Sequence, residues 1–145
     1  VPVYPGQGEL MDYIDCISHQ YGKEIALHAP YKGERDTTIP EEIYSILYVS
    51  NGISETMGLP GTEEKIEIGW IVYPHERILE WTAFYAANYG IKGIVFSDDG
   101  ADCVYYIKAN GTIACFNSMV NEETEIADTL WSFFVPYINI ENTSQ

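Results

Sequence analysis

A chain of 145 residues, 46% hydrophobic and 14% aromatic, has material for one ordinary domain with a real core, so its composition argues against global disorder. Twenty-two Asp and Glu stand against seven Lys and Arg, a formal net charge of −15. That excess repels polyphosphates and anionic lipid. It argues against a nucleic-acid or membrane-surface ligand and for a cationic protein partner.

The first helix is expected from about Gln7 to Tyr21, where Leu10, Ile14, Ile17 and Tyr21 recur at helical spacing and Gly22 provides a stop. Lys23 to Thr37 reads as loop, punctuated by Pro30 and Gly33. Thr38-Ile39-Pro40-Glu41 resembles a capping box, and proline is tolerated in a first helical turn. The helix it opens buries Ile39, Ile43, Ile46 and Leu47, and Asn51-Gly52 ends it. Glu55 to Glu64 reads as loop, with Gly58, Pro60 and Gly61. Ile66 to Tyr73 is rich in Ile, Val, Trp and Tyr and reads as a strand. Pro74 then opens a third helix, His75 to Tyr89, with Ile78, Thr82, Tyr85, Ala86 and Tyr89 on one face and Gly90 as its stop.

Three short strands follow: Gly93–Ser97, Asp102–Ile107 and Thr112–Phe116. Asp98-Asp99-Gly100 joins the first pair and Asn110-Gly111 the second. Asn-Gly between apolar alternations is a strong hairpin signal, so the three form an antiparallel meander. A last helix is expected from about Glu122 to Phe134, with Ile126, Ala127, Leu130, Phe133 and Phe134 as its stripe. The expected fold class is therefore α+β: a single domain with an antiparallel sheet, the meander at residues 93–116, packed against about four helices.

Sites of chemistry are sparse. Cys16, Cys103 and Cys115 are too few and too scattered for a disulfide framework. Cys103 and Cys115 lie among aliphatic and aromatic neighbours, where a thiol packs as a small hydrophobe. His19, His28 and His75 offer bases for a cysteine nucleophile, but no triad is legible. Asp98-Asp99-Gly100-Ala101-Asp102 superficially resembles a calcium loop, yet the EF-hand spacing is not met and a hairpin turn accounts for it. Glu76 and Glu80 lie one helical turn apart, on a solvated face rather than as an acid–base pair. No phosphate loop or nucleophile elbow is present. The expectation is a binder, not an enzyme, with no catalytic residue, no metal and no cofactor. Twelve Tyr and three Trp suit an interface, although most of them, Trp70, Trp81 and Trp131 included, are expected in or beside the core. Neither a signal peptide nor a membrane span is read, and unpaired cysteines fit a reducing, cytoplasmic setting.

Ile39-Pro40-Glu41-Glu42-Ile43-Tyr44, then Leu47 and Asn51-Gly52, resembles the opening signature of the SUKH superfamily. The segment Ile71–Tyr89 follows, then Gly93 to Ile107 with its Asp-rich turn, then Asn110-Gly111-Thr112-Ile113. Glu125 to Phe134 is similar to the family's closing helix. The likeness covers roughly residues 38 to 135. Ala101 stands where the family often has a second Gly, and Glu55–Glu64 has no counterpart. What the resemblance implies is an immunity protein that neutralises a cognate polymorphic or contact-dependent toxin, often a nuclease. A net acidic charge suits such a partner, whose own surface must attract a polyanion. Candidate contact residues are Glu41, Glu42, Glu76, Glu80, Asp98, Asp99 and Asp102. A regulatory or scaffolding domain without a toxin partner is the alternative. A hydrolase using Glu76 and Glu80, or Cys16 with His19, is a third reading.

Overall fold

A computed structural model describes Tyr13, Ile14, Ile17 and residues 24–134. The meander forms because its turns supply what a reversal needs. Gly100 (φ 78°) and Gly111 (φ 90°) take the left-handed backbone that glycine adopts without steric cost. Asp98 Oδ1 accepts the Gly100 N–H at 2.9 Å, and Asp99 Oδ1 accepts those of Ala101 at 2.9 Å and Cys103 at 3.1 Å. Asn110 Oδ1 likewise accepts the Thr112 N–H at 3.0 Å. The strands so joined are β4 (Ile94–Asp98), β5 (Cys103–Ile107) and β6 (Ile113–Asn117), each within a residue or so of expectation.

A fourth strand, β7 (Glu122–Ala127), completes this sheet in the order β4-β5-β6-β7, all neighbours antiparallel. The expected helix from Glu122 to Phe134 is therefore corrected: only Leu130–Phe134 is helical. Asn121, at φ 55°, turns the chain back after β6, and Glu125, Thr124 and Glu123 pair with Ala114, Cys115 and Phe116. That pairing satisfies the β6 backbone, which outweighs the helix propensity that a Glu-rich segment carries. The short helix starts at Leu130 because Thr129 caps it: Thr129 Oγ1 accepts the Ser132 N–H at 3.0 Å.

Two expected loops also contain strands. β1 (Ile25–Leu27), β2 (Ile53–Gly58) and β3 (Lys65–Val72) form an antiparallel sheet in that order. Lys23–Thr37 thus yields one strand and Glu55–Glu64 the second half of another. Gly58, Pro60 and Gly61 mark the hairpin tip between β2 and β3, not a loop that excludes pairing. Ile53, Ser54 and Thr56 are buried, so their backbone groups need ladder partners. The two sheets meet where the Tyr73 N–H donates to the Phe96 carbonyl at 2.8 Å.

Three helices lie wholly within the described residues. The first expected helix, Gln7–Tyr21, lies mostly outside them; Tyr13, Ile14 and Ile17 are helical and buried. α1 (Glu41–Leu47) follows Pro40 without a side-chain cap, because Thr38 bonds Asp36 instead of forming the expected capping box. Ile43, Tyr44, Ser45, Ile46 and Leu47 are all buried. α2 (His75–Tyr89) starts after Pro74 and ends on left-handed Gly90, as expected. Only His75 and Ile78 of its residues are fully buried, whereas Tyr89 is exposed. α3 is Leu130–Phe134.

Strand register places these helices. Val104 pairs with Phe116 and Tyr105 with Cys115, so Phe116 and Tyr105 point to opposite faces. Tyr85 and Tyr89 of α2 pack on Phe116, and Phe133 of α3 packs on Tyr105 at 5.0 Å between ring centroids. The four-stranded sheet is thus held between α2 and α3. The whole is a small α+β domain, and among the described residues no helix is long and apolar enough to cross a membrane.

Candidate partner-binding groove

A groove of about 690 Å³ opens where the two sheets meet α3. β3 contributes Ile68, Gly69 and Trp70, β5 contributes Tyr105, and α3 contributes Phe133 and Phe134. Ile126 of β7 closes one side. Ile68 and Ile126 are 45% and 43% exposed, an unusual placement for two isoleucines on one rim. Three carboxylates join this apolar lining: Glu55, Asp98 and Asp99. No Lys or Arg is among the described lining residues.

Each acidic residue is placed by different chemistry. Asp98 ends β4, and its Oδ2 accepts the Tyr73 hydroxyl at 2.6 Å. Burial first, then this carboxylate, pushes the Tyr73 phenol well above its ordinary pKa, so Tyr73 stays a neutral donor. Asp99 is fixed by the turn amides it accepts. Glu55 lies opposite Gly69 on the neighbouring strand. Gly69 carries no side chain into the groove: a Cβ there would face Asp98 Oδ1 and the Gly100 Cα, each 4.0 Å away.

Asp98 and Asp99 are the sequence candidates that the fold brings into the groove. Glu41, Glu42, Glu76, Glu80 and Asp102 do not line it. Glu41 is exposed and ion-paired with Arg35, and Glu42 is half-buried beside it. Glu76 and Glu80 are exposed on α2, and Asp102 is exposed past the β4–β5 turn. Sequence reasoning missed Glu55 because it fell in an expected loop. Ile53-Ser54-Glu55-Thr56-Met57 has no apolar–polar alternation, so no local signal marked it as a strand.

The remaining nucleophile and base candidates are placed differently. Cys16 and His19 lie outside the described residues. Cys103 is half-buried, not packed away as expected, because β5 ends at the open turn. Desolvation, with Asp99 next in effect, raises its thiol pKa, which opposes thiolate chemistry. His75 is 6% exposed, stacked on Tyr31 at 4.0 Å and hydrogen-bonded to the Tyr44 hydroxyl at 2.9 Å. Burial lowers its pKa, and its place in the first turn of α2 also disfavours positive charge. The Tyr44 oxygen in turn accepts the Asp36 N–H at 2.5 Å, so this buried network is internally satisfied and ties α1 to α2.

A second aromatic–carboxylate arrangement lies apart from the groove. The Arg35 guanidinium carbon sits 4.8 Å from the Tyr44 ring centroid and 5.9 Å from that of Tyr48, with Glu41 as its ion-pair partner. Here the chain's own arginine occupies the combination of rings and carboxylate. No protein-family model matches this sequence, and no curated protein matches it.

Proposed function

We propose that this chain is an acidic immunity protein of SUKH type that binds a basic toxin domain, such as a nuclease, and covers the surface the toxin uses on its substrate. The observation that carries this reading is the groove: exposed isoleucines and aromatic rings beside Glu55, Asp98 and Asp99, with no Lys or Arg in the described lining, in a chain of charge −15. Apolar anchors supply affinity, and carboxylates supply register and fast encounter. Binding and steric cover account for neutralisation without any catalytic step. Co-expression of the chain with the toxin domain encoded beside it is the test. Survival of the host supports the reading; killing at the same rate with and without the chain overturns it. Attraction between opposite surface charges also makes association slow as salt is raised.

A second reading rests on a different surface. Phe84 and Tyr89 are 44% and 41% exposed on α2, Tyr89 at the rim of its contact with Phe116, and Trp81 and Tyr85 pack beside them. An uncharged aromatic row of this kind favours a regulatory or scaffolding interaction domain. A neighbouring toxin gene with a variable C-terminal domain favours immunity; a wall-synthesis or signalling operon favours scaffolding.

A further inference from the structure

We infer that the groove between the sheets receives an arginine side chain of the partner, not a cationic side chain in general. The inference rests on the reading of this chain as a binder of a basic protein. It narrows that reading to one residue type at one place.

The argument starts from what a guanidinium requires. It is planar, weakly hydrated, stacks on aromatic rings and forms forked hydrogen bonds to carboxylates, whereas a lysine ammonium is a compact, strongly hydrated point charge. A site that removes water by apolar walls therefore favours arginine, because the desolvation cost is smaller and the rings return part of it. The groove has these parts: Tyr105 and Phe133 as rings, Ile68 and Ile126 as apolar lips, Glu55 and Asp98 as carboxylates. Asp98 is held in place by Tyr73 and by the Gly100 amide, so its position is set before a partner arrives.

The same chain shows the filled version of this chemistry. Arg35 packs over Tyr44 and Tyr48 and pairs with Glu41. The groove repeats the composition with more apolar surface and no arginine among its described lining residues. Gly69 gives the space. Any side chain at that position projects toward Asp98 and Gly100, and β3 backbone there is not in the left-handed region, so a β-branched residue fits the strand.

The probes are two capped peptides of equal charge and length, acetyl-hexa-arginine amide and acetyl-hexa-lysine amide. Each is titrated into the full chain by calorimetry at physiological ionic strength. The expected result is roughly tenfold or greater preference for the arginine peptide. Gly69→Val, which fills the groove without changing charge, brings the arginine peptide down to the level of the lysine peptide. Glu55→Gln does so in part, and Glu63→Gln at the exposed hairpin tip leaves the preference intact. A thermal melt confirms that each variant is folded, and Glu55→Gln carries the test alone if Gly69→Val is not. Equal affinity for the two peptides, or a preference that neither Gly69→Val nor Glu55→Gln reduces, overturns the arginine assignment. So does failure of the arginine peptide to bind. The reading as an acidic immunity protein stands or falls separately, on survival in the co-expression assay.

Discussion

The four-stranded sheet is covered by α2 on one face and α3 on the other, whereas the outer half of the β2–β3 hairpin is in water. Val95, Phe96, Tyr106, Ile107, Ile113 and Ala114 are all buried in the first sheet. In the second, residues 61–68 are all exposed, and the buried strand residues are Ile53, Ser54 and Thr56 of β2 and Ile71 and Val72 of β3, toward the join. Both sheets are antiparallel, so the difference is one of cover. Stability is concentrated where helices close both faces; the surface available to a partner lies where the less covered sheet meets the other.

Glycine substitutions break this comparison most sharply. A Cβ at Gly93 would lie 2.6 Å from Tyr106 Cδ2 and 2.7 Å from the Ile107 carbonyl oxygen. Gly93→Ala is expected to lower unfolding free energy by roughly 3 kcal/mol, the upper part of the overpacking range. Gly58→Ala on the hairpin meets no atom within 4 Å and is expected to change stability by less than about 0.5 kcal/mol. Urea denaturation of both variants measures the contrast. Similar losses would show that the hairpin is as tightly packed as the meander.

The next effect concerns the buried link between α1 and α2. Tyr44→Phe leaves His75 Nε2 and the Asp36 N–H without their shared partner and is expected to cost about 1–3 kcal/mol by the same measurement. His75 also predicts a pH dependence. Its folded-state pKa lies below the ordinary 6.5, so the unfolded chain takes up the proton first as pH falls. Its contribution is therefore fully present above 6.5 and is lost as pH drops from there toward the folded-state value. Urea midpoints near neutral pH and near about pH 5 are expected to converge in His75→Gln relative to the unsubstituted chain. An unchanged gap would assign the acid sensitivity to other groups.

The smallest effect is at the edge strand. Lys108 Nζ lies 3.3 Å from Glu123 Oε2 and 3.0 Å from Glu125 Oε2, all partly exposed. Lys108→Ala is expected to cost less than about 1 kcal/mol, and less still at high salt. A larger loss would mean that β7 depends on this pair more than on its ladder with β6.

Elements marked by local chemistry were legible in the sequence. Pro74 and Gly90 bracket α2 because proline suits a helix start and glycine accepts the left-handed cap. Asp98-Asp99-Gly100 and Asn110-Gly111 carry their turns in their own side chains and backbone freedom. β7 was not legible, since Glu122 to Ala127 has little apolar periodicity and becomes a strand only by pairing with β6. β1 and the β2 part of the first sheet are similar cases, hidden by short length or by the glycines and proline at the tip.

The sequence by itself determined the acidic charge, the α+β class, the meander and the presence of Asp98 and Asp99 at a turn. Each follows from composition or from residues a few positions apart. Only the tertiary structure decided that Glu55, Gly69, Asp98, Tyr105, Ile126 and Phe133 share one groove. They come from five strands and a helix, and no local rule relates residues so far apart in the chain. What places them together is the register of two sheets and the packing of α3 against β5.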